Sequence, residues 1–438
     1  MIVRWGDEVT LAQMLAAREA RALAQRELRA KHCLPLISFT LNMPGPIKDG
    51  TLVRMAFDDG VEQIEAALAS EGVRVHERRI RRETTGCDGF FCVEADAERV
   101  KALCCAIEEH SAIGRFFDID VLDAAGEKLE RERVGAPVRR CFLCGRPAAE
   151  CARSRAHGVD ALRAHVEESL NAYLDEKYAA QTMSLALRAL LYEVAVTPKP
   201  GLVDRANAGA HRDMDFFSFM GSAAALAPYF RECTLCGLRC GELPAPERFL
   251  RVQHLGRGAE RAMCEASGGA NTHKGAIFSL GLLCAARGYL RQTQEAFDTE
   301  QMRREAAVMA EEACKRFAAT HGGALFGARA EALSGFQTAE VALEALSRAR
   351  AQGKDVNAAG VGALLRLLAA AEDTNLARRG GAQAPAQVRA EAARLLAQGG
   401  DEIAAAQALD EAFIARNLSP GGCADLLAVA FFLLFCQV

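Results

Sequence analysis

The hydrophobic periodicity of this 438-residue chain changes character once, and that change limits the folds open to it. Up to about residue 175 two periods alternate. Leu11–His32, Val61–Leu68, Ala97–Glu109 and Val159–Tyr178 repeat apolar residues at helical spacing, whereas Leu34–Met43, Val73–Arg81, Phe90–Glu94 and Phe116–Leu122 read as strands. From about residue 180 the helical period alone remains, in Ser184–Val194, Phe216–Tyr229, Lys274–Tyr289, Met302–Ala318, Thr338–Arg350, Val361–Ala370 and Gly421–Cys436. The pattern predicts a multidomain chain, with an α+β domain over residues 1–178 and an all-α helical domain over 179–438. No Pro/Gly/Ser-rich linker marks the change near Asp175–Gln181, which leaves one helix or two abutting helices to join the halves.

Composition narrows the function classes. With 50% hydrophobic and 25% charged residues the core can be large. A formal net charge of −4 favours neither nucleic acid nor an anionic membrane as a partner. The start, Met1–Glu8, lacks the basic end and long apolar run of a signal peptide. The most apolar stretch, Leu426–Val438, is too short to span a bilayer and reads as a buried terminal helix. Sixteen cysteines without a secretion signal argue for reduced thiols. The expectation is a soluble, cytoplasmic protein.

The densest polar segment is the loop Val196–Phe217. Pro198 and Pro200 stop an apolar helix, after which Asp204, Asn207, His211, Asp213 and Asp215 share a short loop with Lys199, Arg205 and Arg212. Such a loop suits an ion and a phosphate; a hydrated turn with capping aspartates is the alternative. Three more loops share its chemistry. Gly268–Gly275 places glycines before a helix start carrying Thr272, His273 and Lys274, although it lacks the Walker spacing. Glu372–Asn375 is followed by Arg378 and Arg379, and in Asn417–Asp425 Pro420 opens a helix. Four such loops between helices of one bundle predict a common pocket for a magnesium-bound triphosphate.

Thr197–Asp204, Gly209–Met214, Asn271–Gly275, Asp373–Asn375 and Asn417–Gly422 together resemble the triphosphoribosyl-dephospho-CoA synthase family, in the right order over residues 183–438. Glu260 and Met263 match as well; Ser267 stands where Thr is expected, and Gly288–Arg350 matches loosely. The resemblance implies that the 2′-hydroxyl of 3′-dephospho-CoA attacks C1 of the ATP ribose and adenine leaves. It implies Asp204, Asp213 and Asp373 as catalytic carboxylates, and Asp213, Asp373 and Asp425 as ligands of Mg2+. Lys199, His211, Asn271, His273, Lys274, Asn375, Arg379, Ser419, Gly421 and Gly422 become substrate and phosphate contacts.

In the first half, alternation along Phe116–Leu122 puts Asp118 and Asp120 on one strand face, where paired carboxylates hold divalent ions for attack at phosphorus. Arg18–Arg21, Ser38–Thr40, Pro44–Lys48, Glu109–Ser111, Gly114–Leu122 and Arg139–His157 resemble the apo-citrate lyase phosphoribosyl-dephospho-CoA transferase family, over residues 10–175. The implied fold is of nucleotidyltransferase type. The implied reaction is attack by a carrier-protein serine on the α-phosphate, with loss of diphosphate. Asp118 and Asp120 would be the catalytic, magnesium-binding pair, and Arg18, Arg21, Lys48, His110 and Arg115 would neutralise phosphates. Cys141-x2-Cys144-x6-Cys151-x5-His157 offers ligands of the zinc type at compact spacing, with buried reduced thiols as the alternative. Cys233-x2-Cys236-x3-Cys240 reads as loop thiols following a helix.

The two resemblances imply one bifunctional transferase. It would make 2′-(5″-triphosphoribosyl)-3′-dephospho-CoA from ATP and 3′-dephospho-CoA, then attach it to the acyl carrier protein subunit of citrate lyase. The same chemistry serving malonate decarboxylase, or an inactive helical nucleotide-binding regulator, are the alternatives.

Overall fold

Residues that alternate between apolar and polar make a sheet with two unlike faces, and this one has them. The computed structural model describes residues 5–294, 296–320 and 325–437, so part of the Met1–Glu8 start and Val438 of the terminal apolar stretch lie outside the described residues. The chain divides into two units, Ile2–Asp175 and Glu176–Val438. The first contains α1 (Leu11–His32), β1 (Leu36–Leu41), α2 (Thr51–Ser70), β2 (Arg74–Glu83), β3 (Gly86–Glu94), α3 (Ala97–His110), β4 (Phe117–Leu122) and α4 (Ala148–Ser154). Its four strands form one antiparallel sheet in the order β2-β3-β1-β4.

One face of that sheet is a phenylalanine core. Phe39 of β1 stacks on Phe57 of α2 at 4.9 Å and meets Phe117 of β4 edge-on at 5.2 Å. On the opposite face Leu36, Phe90 and Cys92 pack under Ala24 and Leu28 of α1. Further along the same face the side chains turn polar: Ser38 pairs with Asp120 and Thr40 with Asp118. Helix α1 itself opens on a capping box, with Thr10 accepting from the Gln13 N–H, and ends at Cys33 in the left-handed conformation.

Helix α5 (Val159–Ala195) is continuous, so Val159–Tyr178 and Ser184–Val194 belong to a single helix and the division between units falls within it. After it come α6 (Phe216–Arg239), α7 (Ala245–Ala266), α8 (Lys274–Thr293), α9 (Thr299–Thr320), α10 (Ala328–Leu333), α11 (Gln337–Ala351), α12 (Val356–Ala370), α13 (Thr374–Gly380), α14 (Ala384–Gln398), α15 (Glu402–Ala415) and α16 (Gly421–Cys436). From Leu426 to Phe435 every residue of α16 is buried, as expected of a helix apolar on all sides. Helices α8, α11 and α12 pack around it. No helix among the described residues is long and apolar enough to cross a membrane.

Two sequence expectations need correction. Helix α2 starts at Thr51, ten residues before the expected Val61, because Asp58 and Asp59 interrupt an apolar period that the fold nonetheless uses. Helix α6 continues through Pro228 to Arg239, so Cys233 and Cys236 are helical and Cys233 is fully buried, while Cys240 is the C-cap. Burial of Tyr229, Phe230 and Cys233 beyond the proline outweighs its lost backbone hydrogen bond and ring clash, together about 3 kcal/mol.

Helices α6 and α8 cross in backbone contact. A Cβ at Gly288 would collide with the Thr234 carbonyl oxygen, and one at Gly237 with that of Ala285. We predict that Gly288→Ala lowers stability by about 1–3 kcal/mol, seen as a lower thermal midpoint. Gly258→Ala, on α7 with nothing within 4 Å of the new methyl, should instead raise stability by about 0.5–1 kcal/mol.

Candidate functional site

The four polar loops of the second unit meet around one cavity of about 400 Å³. Its walls are the α5–α6 loop, the N-termini of α8 and α16, and the start of the short α13. Helix N-termini carry unpaired N–H groups and partial positive charge, so this rim favours an anion. Beneath the rim the cavity is acidic, with Glu193, Asp373 and Asp425 all in its lining, the first two buried and the third half-buried.

Local wiring explains how the α5–α6 loop holds its shape. The Asp204 carboxylate accepts from the N–H groups of Lys199 (2.9 Å), Ala206 (2.7 Å) and Asn207 (3.1 Å). Asp410 of α15 accepts from Gly201 N–H and from the Asn207 amide. Gly201, at φ +68°, lies so close to the Leu418 carbonyl that a Cβ would not fit. Asp204 therefore organises the loop and is outside the cavity lining, in contrast to the catalytic place expected for it. Asp215 caps α6, accepting from Ser218 N–H at 2.8 Å.

Several of the expected phosphate contacts line the cavity with their polar atoms already engaged. Lys199 is buried and paired with Glu193, a residue the sequence reading missed. Burial pushes the Glu193 carboxyl up, and the Lys199 ammonium opposes that. Arg379 donates to the Ala210 carbonyl at 2.9 Å and to His211 Nδ1 at 3.2 Å, while His211 Nε2 lies 2.8 Å from Ser419 Oγ. This chain ties the first loop to the last. Burial, and then Arg379, hold the His211 pKa below its usual value. Lys274 is half exposed, 3.1 Å from Glu260, and its N–H donates to Asn271. Asn375, Gly421 and Gly422 complete the rim, with the Asn375 amide against Gly421.

Among the carboxylates, Asp213 sits at the mouth with its side chain 66% exposed. Asp373 caps α13, accepting from Asn375 and Leu376 N–H, and its other oxygen accepts from Cys423 N–H at 3.0 Å. Burial nevertheless raises its pKa. Asp425 is half-buried in the first turns of α16, with a backbone hydrogen bond from Ala276; desolvation, then Glu193 and Asp373, push its pKa well up. Only glycine at 275 leaves room for that carboxyl. Asp425 is thus stabilised by a proton or a cation beside it.

His273, expected as a phosphate contact, lines the cavity. Burial, then Lys199, lowers its pKa to about 3, so the ring is neutral. Thr272 Oγ1 donates to Ser222 Oγ at 2.7 Å, and Ser222 lies 2.7 Å from His273 Nδ1. With the Ser222 proton directed at Nδ1, the ring proton resides on Nε2, which is buried without a hydrogen-bond partner.

In the first unit, Asp118 and Asp120 occupy the polar half of the α1-covered sheet face. Asp118 accepts from Arg139 at 3.2 Å and Asp120 is 2.7 Å from Lys128 Nζ. Arg139 also donates to Glu108 and to the Phe117 carbonyl. Arg115 belongs to the same group: burial, then Arg139 and Arg131, lower its pKa. Lys48 is half-buried, donates to the Met43 carbonyl, and is lowered by burial and then by Arg18. Arg21 is spent on buried Asp88, which it shares with Arg81. His110 is exposed at the end of α3, bonded to the Ala106 carbonyl. Cys141, Cys144, Cys151 and His157 bring their ligating atoms within 4.8 Å of one another.

Glu193 was readable as a lone carboxylate in an apolar helix; Asp410 carried no comparable signal, since its partners are remote in sequence.

Residues 179–437 match the family described as ATP:dephospho-CoA triphosphoribosyl transferase, and residues 9–173 match apo-citrate lyase phosphoribosyl-dephospho-CoA transferase. The chain is 32% identical to protein CitXG of Haemophilus influenzae, over 98% of this chain and 97% of that protein. It is 30% identical to protein CitXG of Leuconostoc mesenteroides subsp. cremoris with the same coverage. A 2-(5''-triphosphoribosyl)-3'-dephosphocoenzyme-A synthase of Pectobacterium atrosepticum is 42% identical over 62% of this chain and 95% of its own length.

The histidine geometry gives a direct test. Nitrogen-15 NMR should find His273 as the Nε2–H tautomer, without titration from pH 8 to pH 5. In an unfolded chain it would protonate near 6.5, against about 3 here, so the stability it contributes is full above about 6.5 and is lost as pH falls toward 3. A midpoint near 6.5 in the folded protein would overturn this.

Proposed function

The chain belongs to the CitXG family, and from that membership we propose which residues of each unit carry its two reactions. The protein is a bifunctional transferase that makes and attaches the prosthetic group of citrate lyase. In the second unit, ATP and 3′-dephospho-CoA become 2′-(5″-triphosphoribosyl)-3′-dephospho-CoA and adenine. The C1–N bond to adenine breaks, and a bond forms from C1 to the 2′-oxygen of dephospho-CoA. The observation that carries this reading is the acidic floor under a rim of helix N-termini. The rim suits the triphosphate. Asp425, its pKa pushed up by desolvation and then by the neighbouring carboxylates Glu193 and Asp373, suits a divalent cation, with Asp213 and Glu193 of the same lining as further ligands. Magnesium bound there supplies positive charge to the triphosphate. Arg378 in the lining and Lys274 at the edge bring further positive charge to the rim. The neutral His273 offers an Nε2–H to a substrate acceptor without adding charge.

In the first unit a nucleotidyltransferase-type centre lies on the polar sheet face. A serine hydroxyl of the citrate lyase acyl carrier protein attacks the α-phosphate, and diphosphate leaves. Asp118 and Asp120 hold Mg2+ there, while Arg139, Arg115, Lys48 and Arg18 oppose the phosphate charge.

Two measurements on the full chain test these assignments. Asp425→Asn resembles the protonated side chain, so it should fold, yet lose adenine release by about 100-fold or more. Release within a few-fold of wild type would remove Asp425 from the site. Asp118→Asn and Asp120→Asn should leave adenine release within about twofold and abolish serine loading, with the triphosphoribosyl intermediate accumulating in mass spectra. Normal loading would make the pair a structural feature of β4.

A further inference from the structure

From Glu130 to His165 the chain has no apolar core of its own. Its most buried residues there are Cys141 and Cys151, with 9% and 7% of their surfaces exposed. A segment of that length with so little apolar burial needs another source of order. The four residues Cys141, Cys144, Cys151 and His157 are its centre. Cys141 N–H donates to the Arg146 carbonyl at 2.6 Å, Gly145 N–H donates to the Cys141 carbonyl at 3.0 Å, and Gly145 turns the chain at φ +70°. This tight turn presents Cys141 and Cys144 together. Helix α4 brings in Cys151, and after Arg155 at φ 49° the chain returns His157 to the same point. The Cys144 and Cys151 sulfurs are 3.4 Å apart, and His157 Nε2 is 3.2 Å from the Cys144 sulfur. Tetrahedral zinc, with bonds of about 2.3 Å to sulfur and 2.0 Å to nitrogen, separates its ligand atoms by roughly 3.3–3.8 Å.

We infer that Cys141, Cys144, Cys151 and His157 bind one structural Zn2+, and that this metal positions Arg139 against the Asp118 carboxylate. The ligand set is closed, with four protein donors and no position left for water, as in structural rather than catalytic zinc sites. Arg139 lies two residues before Cys141 and reaches Asp118, Glu108 and the Phe117 carbonyl at the start of β4. Phe142 follows Cys141, stacks on His165 at 5.8 Å and meets Phe116 edge-on at 5.5 Å. The knuckle is thereby anchored beside β4, and a fixed Cys141 leaves the Arg139 guanidinium little freedom. The part of the inference that concerns Arg139 rests on the loading reaction proposed for the first unit; the metal site does not.

The test uses the full chain without a polyhistidine tag. Elemental analysis should give about one zinc per chain, and cobalt replacement should give the intense visible bands of a tetrahedral thiolate site. Cys144→Ser and Cys151→Ser should each hold less than about a tenth of that metal and be cleaved between residues 130 and 158 by limited proteolysis, whereas Cys33→Ser keeps it. The same two variants should release adenine at the wild-type rate and load the carrier serine at least about tenfold more slowly. A wild-type protein that stays zinc-free after incubation with the metal overturns the site, as do variants that retain it. Metal-free variants that load normally overturn the role given to Arg139. A zinc-bound wild type that never loads a carrier would count against the proposed reaction and leave the metal site standing.

Discussion

A carboxylate placed among apolar helices must be balanced by a proton or a positive charge, and the second unit is organised around that requirement. Asp425 lies at the head of α16, the most apolar helix among the described residues, half-buried and with its pKa pushed well up by desolvation. Glu193 is buried beside Lys199, and Asp373 is buried as the cap of α13. Leaving such charges unbalanced would cost several kcal/mol each. The surrounding loops supply the compensation in two forms. Backbone N–H groups serve Asp373 and Asp204, and one lysine serves Glu193. Asp425 has less, a single backbone donor, which is why it is the residue with most to gain from a bound cation.

The first unit solves a related problem on a sheet. Its strands bury Phe39, Phe117 and their neighbours on one side, while the face under α1 changes from apolar to polar along its length. Antiparallel register makes this possible, because it sets Ser38 opposite Asp120 and Thr40 opposite Asp118. The polar end then collects guanidinium groups from segments far apart in sequence. Buried Glu108 is the fixed point, bonded to Arg131, Arg139 and the Ile119 N–H. Burial raises its pKa in spite of both arginines. Each unit therefore sets polar groups that invite an ionic ligand on a scaffold already stabilised by apolar packing.

Much of this was legible in the sequence. The period change placed the sheet in the first half, and the strand alternation put Asp118 and Asp120 on one face. The Gly-, Asn- and Asp-rich loops between helices were read as one pocket, and they do converge. The family likeness rested on those loops because their motifs are long and ordered. What the sequence reading did not give were individual partnerships. Lys199 and Arg379 line the cavity, one paired with Glu193 and the other tying Ala210 to Asn417. Cys233 read as a loop thiol following the helical stretch Phe216–Tyr229, whereas burial carries the helix on to Arg239.

The sequence by itself determined which residue types would be available, in what order, and on which side of each element they would face. Periodicity and turn chemistry are local properties, and a chain of this length states them many times over. Tertiary structure alone decided charge state and partnership. His273 is neutral because it is buried, and its free nitrogen is specified by Ser222, 51 residues away. Asp204 became a loop organiser, and Asp410, 209 residues from Gly201, became its companion. Desolvation and long-range hydrogen bonds depend on what else occupies the same volume, and no local pattern of residues encodes that.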